Sequence, residues 1–278
     1  MVTQDKNEKV PQDELLYQRR ISNVVAITPV YNEEIYTIQH FNSRIEEIKN
    51  TLINRSISFR HFFLDDAAIN LPREEVPILL SHTENKGLAQ TLIDGYRAVL
   101  NLKSVPDLII RLDSQEHSPF KIIEIVDHMM NTEAEAVFLP IWYKTLGEPA
   151  PLTTEIYKKL SAFRDALTPM NEQEILSAYI NFPLGYQSFT KNALTELLPN
   201  LEHGVDIFNK QEGRPATWGL DLLAILLTSH HFKDNFDFLW GGWSTPWKLN
   251  RGLKKTDDQK ERARKMIKIA EEIIRKKN

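Results

Sequence analysis

The chain has no cysteine among its 278 residues, which excludes a disulfide framework, a thiolate zinc site and a cysteine nucleophile. It has no uninterrupted apolar run near the ~20 residues of a spanning helix. Its first twenty residues, Gln4-Asp5-Lys6-Asn7-Glu8-Lys9 among them, are too polar for a signal peptide. A soluble, cytoplasmic protein is the expectation. Charge of one sign is also lacking: the formal net charge is −4 and the pI about 6.1, with lysine and arginine massed only at the C-terminus, so nucleic acid is not an expected partner. No repeat or low-complexity tract is visible. No Gly-x-Gly-x-x-Gly follows the first apolar run, and Glu33-Glu34 would repel a pyrophosphate there, which argues against a dinucleotide-binding oxidoreductase. A sugar nucleotidyltransferase would want a glycine-rich, basic loop at the same place, and residues 29–34 are neither.

What is present, 42% hydrophobic and 26% charged residues, suits a globular chain with a sizeable core. Residues 1–21 read as a polar lead that frays, with a short helix over 12–20 as the other reading. Residues 24–28 form an apolar, β-branched run without polar alternation, as expected of a strand buried on both faces. Ile35, Ile38, Phe41, Ile45, Ile48 and Leu52 then recur at spacings of three and four, the stripe of an amphipathic helix over 33–54. Strands are expected at 57–64, 78–81, 108–112 and 136–140, with helices at 88–102 and at 119–130, the last opening on proline where proline is tolerated. This alternation argues for an α/β fold with a doubly wound, mostly parallel sheet.

Beyond Pro140 the pattern loosens. Gly147, Pro149, Pro151 and Pro169 surround a helix expected at 155–167, and 141–180 read as an insertion that covers a substrate. A strand at 182–189, a short helix at 191–198, an apolar helix at 218–231 and a strand at 236–240 follow. An aromatic loop at 240–247 then either stacks on sugar rings or, as the favoured reading, fills the edge of the core. From Thr256 a capped helix has Ala263, Met266, Ile267, Ala270, Ile273 and Ile274 as its stripe, acids in its first turn and Arg275-Lys276-Lys277 at its end. Packing on the domain is expected of it, with peripheral contact to an anionic membrane as the alternative. The expected organisation is a lead at 1–21, one domain at 22–253 whose halves are 22–140 and 141–253, and a C-terminal amphipathic helix at 254–278.

Four strand ends carry polar groups: Thr28-Pro29-Val30-Tyr31-Asn32-Glu33-Glu34, Leu64-Asp65-Asp66, Thr83-Glu84-Asn85-Lys86-Gly87, and Arg111-Leu112-Asp113-Ser114-Gln115-Glu116-His117. In an open α/β sheet the carboxyl ends of strands are where ligands bind. Any one of these could be a turn or a helix N-terminus; together and in this order, over residues 22–140, they resemble the family 2 glycosyltransferases, which have the GT-A fold. The resemblance implies a nucleotide-diphospho-sugar donor and an acceptor hydroxyl on a sugar, a lipid-linked glycan or a small molecule, with inversion at the transferred carbon.

It also implies roles. Pro29, Tyr31 and Glu33 fall where the family brackets the base, Asp65 and Asp66 where an aspartate accepts a hydrogen bond from the base or ribose, and Asn85-Lys86-Gly87 where ribose or phosphate is positioned. Asp113 matches the first acid of the family's Asp-x-Asp, which holds Mg²⁺ or Mn²⁺ on the diphosphate, while the second acid is replaced by Gln115. An amide oxygen brings no charge, so metal binding would draw on Glu116 or His117, and the implied ligands are Asp113, Gln115 and His117. In Trp218-Gly219-Leu220-Asp221, the aspartate is the best match to the family's acceptor base; a helix N-terminal acid interacting with the dipole is the even alternative, and Asp206 and Glu212 are further candidates. His230-His231 read as structural. Gln115 and the absence of a Gln-x-x-Arg-Trp motif favour the rival reading, a catalytically inactive GT-A-like module that binds nucleotide or carbohydrate.

Overall fold

The computed structural model describes residues 18–31, 33, 35–113, 119–143, 153–181, 186–216, 219–239, 242–244 and 255–276. Most of the expected N-terminal helix, the first part of the strand expected at 182–189, Trp218, and much of the aromatic loop at 240–247 lie outside them.

Seven strands form one twisted sheet, β1 (Asn23–Val30), β2 (Ser58–Asp65), β3 (Ile78–Ser81), β4 (Leu108–Arg111), β5 (Ala136–Leu139), β7 (Tyr186–Thr190) and β8 (Phe236–Phe238), in the order β3-β2-β1-β4-β7-β5-β8. All pairings are parallel except those of β7, which runs antiparallel between β4 and β5. A second sheet pairs β6 (Ile141–Tyr143) with β9 (Gly242–Ser244). The first strand is central, as its unbroken apolar run required: Val24 to Thr28 are buried.

Both faces of the sheet are covered, and successive residues alternate between two cores. Val24, Ala26, Leu108, Ile110, Val137 and Leu139 pack with α1 (Ile35–Asn54) and α3 (Lys121–Asn131). Val25, Ile27, Ile109, Ala136 and Phe138 pack on the other side with α2 (Leu88–Leu100), α4 (Thr153–Leu167), α5 (Glu172–Asn181), α6 (Lys191–Glu212), α7 (Leu220–Phe232) and α8 (Lys255–Arg275). This two-faced burial is the pattern of doubly wound α/β domains.

The later half differs from its sequence reading in two places, and its last helix packs on the domain as expected. The helix expected at 191–198 runs on to Glu212 through Pro199, because Leu194, Leu197, Leu201, Val205 and Phe208 carry one apolar stripe across the proline. The region read as an insertion holds a second helix, α5, whose Ile175, Leu176 and Tyr179 join the core. The stripe of α8, Ala263, Met266, Ile267, Ala270 and Ile273, is buried against α5, α6 and α7. Outward charges of α8 pair with neighbours, Arg264 with Glu172 at 3.2 Å and Lys265 with Glu212 at 2.5 Å, so the helix packs on the domain. No described helix is long and apolar enough to cross a membrane.

Candidate functional site

The carboxyl ends of β1, β2 and β4 open on one edge of the sheet, with the amino end of antiparallel β7 beside β4. Asp65 is the last residue of β2 and is fully buried. One of its oxygens accepts from the Ala68 backbone N–H at 2.7 Å. The other accepts from Ser81 Oγ at 2.6 Å and Arg73 Nε at 2.9 Å. Asp65 therefore ties the 66–76 loop to the end of β3, and its negative charge is balanced by an arginine.

Asp66 does the same for the next loop. Oδ1 accepts from the backbone N–H of Lys86 at 2.7 Å and Oδ2 from that of Gly87 at 3.1 Å, while His82 Nδ1 lies 3.1 Å from Oδ1. Asn85 Oδ1 also accepts from the Gly87 N–H at 2.7 Å, an Asx turn that leads into α2. Gly87 has φ of +82°, and a Cβ there would stand 2.9 Å from the Ala216 carbonyl oxygen, so both backbone conformation and space call for glycine. The 85–87 turn is thus held by Asp66 on one side and by the 215–216 segment on the other. Lys86 is half-exposed, its ammonium 3.5 Å from Glu84.

At the end of β1, Tyr31 is exposed and its backbone N–H donates to Glu33 at 2.6 Å. Glu33 thus accepts at the strand-to-helix turn, and among the described residues the Tyr31 side chain is exposed. Pro29 lies within β1, partly buried. Asp113 stands two residues beyond β4 and is partly exposed, near enough to Tyr186 that its charge, after burial, helps hold that phenol well above its ordinary pKa. Gln115 and His117 lie outside the described residues.

A second group of polar side chains lies on the α2 and α7 face, just below this edge. Arg111 and Gln187 are register partners on β4 and β7, and both are buried. Asp221 occupies the first turn of α7 after Gly219, whose φ of +101° turns the chain into the helix. Tyr179 reaches over from α5 and donates its hydroxyl to Asp221 Oδ1 at 2.7 Å. Burial pushes the Asp221 carboxyl above the usual carboxylate range, against the pull of the Arg111 charge and the Tyr179 hydrogen bond. A carboxyl poised in this way is chemically suited to taking a proton from a hydroxyl. Of the other candidates, Asp206 is exposed on α6 and Glu212 pairs with Lys265. His231 lies against Glu196 at 2.5 Å on the helix surface, a structural pairing.

The sequence reading missed Tyr179, Arg111 and Gln187. Arg111 at the end of a wholly apolar strand run was the available signal, since a buried arginine requires a counter-charge.

No protein-family model and no curated protein matches the sequence. Among solved structures, the chain superposes on mannosyl-3-phosphoglycerate synthase from Rubrobacter xylanophilus with a TM-score of 0.51 at 10% identity, over 87% of this chain and 72% of that one. The fold is GT-A. A glycosyltransferase involved in glycosylating the major capsid of PBCV-1 gives a TM-score of 0.36 at 11% identity, over 86% of this chain and 91% of that one, too slight a likeness to carry an argument. Tyr31, Asp65, Asp66 and Asp113 stand at or just past the carboxyl ends of β1, β2 and β4, and Asp221 stands in the first turn of α7.

Proposed function

We propose that the protein is a glycosyltransferase that moves a sugar from a nucleotide-diphosphate donor to an acceptor hydroxyl, with inversion and with Mg²⁺ or Mn²⁺. The observation that carries the reading is Asp221: a half-buried carboxyl that accepts the Tyr179 hydroxyl at 2.7 Å and whose pKa burial raises, just below the carboxyl-end edge of the sheet. Its role would be to accept the proton of the attacking hydroxyl.

The nucleotide would lie across the ends of β1, β2 and β4. Tyr31 offers a ring for stacking on the base, and Lys86 offers a cation to ribose or phosphate, while the backbone N–H groups of Lys86, Gly87 and Ala89 are already given to Asp66, Asn85 and Ala216. Asp65 and Asp66 contribute chiefly by shaping those loops, because their oxygens already hold Arg73, Ser81, Lys86 and Gly87.

Asp113 fits a hard divalent ion: it is a carboxylate at an open strand end, the oxygen chemistry that Mg²⁺ and Mn²⁺ take. Among the described residues no group of three His, Asp or Glu converges, so the remaining ligands would be Gln115 and His117. A bound ion would supply Lewis-acid neutralisation of the leaving diphosphate.

The test is thermal unfolding with UDP, GDP, dTDP and CDP and their common sugars, each with Mn²⁺ or with chelator, on the wild type and on Asp113→Ala. A ligand at about a hundred times its dissociation constant stabilises the native state by ~2.7 kcal/mol, a shift of several degrees in a chain of this size. A metal-dependent shift with one nucleotide, lost in the variant, is expected. A metal-independent shift would favour the inactive binding module, and no shift with any nucleotide would sink the nucleotide-sugar reading.

A further inference from the structure

The protonation state of Asp221 is contested by its surroundings. Three elements bring charged or titratable groups to it: β4 brings Arg111, α5 brings Tyr179 and α2 brings Tyr96, whose own phenol Asp221 helps to raise. The backbone N–H groups of Asp221 and Leu222 also bond to the carboxylate, and α8 closes the turn from behind by seating Met266 against Gly219. Burial works against ionisation, and the arginine and the tyrosine hydroxyl work for it. Tyr179 is itself buried, 2% exposed, and burial followed by the Asp221 charge keeps its phenol protonated far above neutral pH. It is therefore a permanent donor, held rigidly by the α5 core contacts of Ile175 and Leu176.

We propose that Tyr179 is a positioning residue for Asp221, fixing the orientation of its carboxylate and holding it ionised so that it can receive the acceptor proton. The proposal rests on the reading of Asp221 as the acceptor base. Its physical basis is that a hydrogen bond from a neutral, buried hydroxyl is stronger to a carboxylate than to a carboxylic acid. Without it, among the described residues, Arg111 and the α7 backbone are left to oppose burial. The pairing also gives the region after Pro140 a role in the reaction, since the α5 helix delivers the hydroxyl from more than forty positions away in the chain.

Tyr179→Phe removes the hydroxyl and keeps the ring. The test measures nucleotide release from UDP-glucose, GDP-mannose and dTDP-glucose with Mn²⁺ and water as acceptor, from pH 5 to 10, for wild type, Tyr179→Phe and Asp221→Asn. It also measures thermal unfolding of these three and of the double variant over the same range. In Tyr179→Phe the donor KM should hold. The acid limb of the turnover profile should move up by about one to two pH units, the equivalent of one hydrogen bond to a charged group, with turnover recovering toward pH 9. The coupling between the two positions in unfolding should grow as pH rises through the Asp221 titration.

A loss of turnover equal at every pH, with the limb unmoved, would show that Tyr179 only packs and would overturn the proposal. Wild-type turnover in Asp221→Asn would overturn the base assignment and the proposal with it, a result distinct from the first because Asp221 itself is then dispensable. If none of the donors is turned over, the unfolding cycle decides: a coupling that rises with pH supports the tethered carboxylate, and a flat or absent one overturns it.

Discussion

His61 lies buried on β2, its ring edge-on to Phe63 at 4.6 Å and to Phe41 at 5.7 Å between centroids. Its Nε2 is 2.9 Å from Thr28 Oγ1, and no partner for Nδ1 is present among the described residues. Burial lowers its pKa from 6.5 to about 3, so the folded protein keeps it neutral. The sign follows from linkage. A lowered folded pKa means that the unfolded chain takes up the proton first, so stability is full above pH 6.5 and declines as pH falls from there toward 3. At pH 4.5, two units below the unfolded value, the loss attributable to His61 is on the order of 3 kcal/mol. The double variant Thr28→Val, His61→Phe replaces both partners of the hydrogen bond with apolar groups and should flatten the stability profile over that window. Urea midpoints at pH 7 and 4.5 for both proteins decide the matter; equal drops would mean that His61 is protonated in the fold. Asp221 carries the opposite sign. Its raised pKa makes its ionisation a cost to folding as pH rises, so Asp221→Asn should unfold at higher temperature than wild type at pH 8 while its turnover is lost. A lower unfolding temperature for Asp221→Asn would show instead that the ionised carboxylate is a net support of the fold.

Elements meet where small residues let them, and α2 approaches the sheet at Gly95. A Cβ placed there would stand 2.3 Å from Leu64 Cδ1, 3.0 Å from Cδ2 and 3.2 Å from Cγ, so the whole buried leucine would have to move. Mid-helix glycine costs about 1 kcal/mol relative to alanine, and Gly95→Ala would be stabilising on propensity alone. Overpacking of this kind costs roughly 1–3 kcal/mol, and Leu64 sits in the strand that ends in Asp65. Gly95→Ala is expected to lower the urea midpoint, and adding Leu64→Ala should remove most of the penalty specific to the clash; additive losses in the two variants would show that no such contact limits the helix. At this scale much was legible. Strands β1 to β5 and helices α1 to α3 follow from apolar runs and three-four spacings, with ends within a few residues. What was not legible depended on partners distant in the chain. Pro199 reads as a stop, yet the stripe from Leu194 to Phe208 buries enough apolar surface against α2, α7 and α8 to carry the helix over it. The pairing of β6 with β9 joins residues about a hundred positions apart. Asp221 could be picked from its place at a helix start, but its tether Tyr179 and counter-charge Arg111 come from two other elements, and nothing local marks them as a unit. Likewise Asp65 and Asp66 were visible as strand-end acids, while their engagement with Arg73, Ser81, Lys86 and Gly87 appears only in three dimensions.

Across the molecule, the two faces of the sheet are unequal. One is covered by α1 and α3, the other by six helices with α7 at their centre, buried along almost its whole length. The last helix closes that side. Gly204 of α6 sits where a Cβ would meet Leu223 of α7 at 2.5 Å and Ile273 of α8 at 3.3 Å, so three helices converge there in close contact. Met266, Ile267, Ile269 and Ile273 are buried by this packing, and burying side chains of this size is worth ~1.5–3 kcal/mol each. Four of them together are of the order of the entire stability of an ordinary domain, ~5–15 kcal/mol. An appendage could be removed without consequence, but a wall of the core could not. Ending the chain at Lys254 should therefore abolish the cooperative thermal transition and expose surface that binds a hydrophobic dye, rather than simply lower the transition temperature. A truncated chain that still unfolds cooperatively near the wild-type temperature would mean that α8 rests on a domain complete without it. Because Met266 also backs Gly219 at the turn into Asp221, Met266→Ala in the full chain provides the milder form of the test. It should cost ~2–5 kcal/mol, the range for a buried methionine cut to alanine, and should depress turnover further than an equally destabilising change on α1, which does not reach that turn.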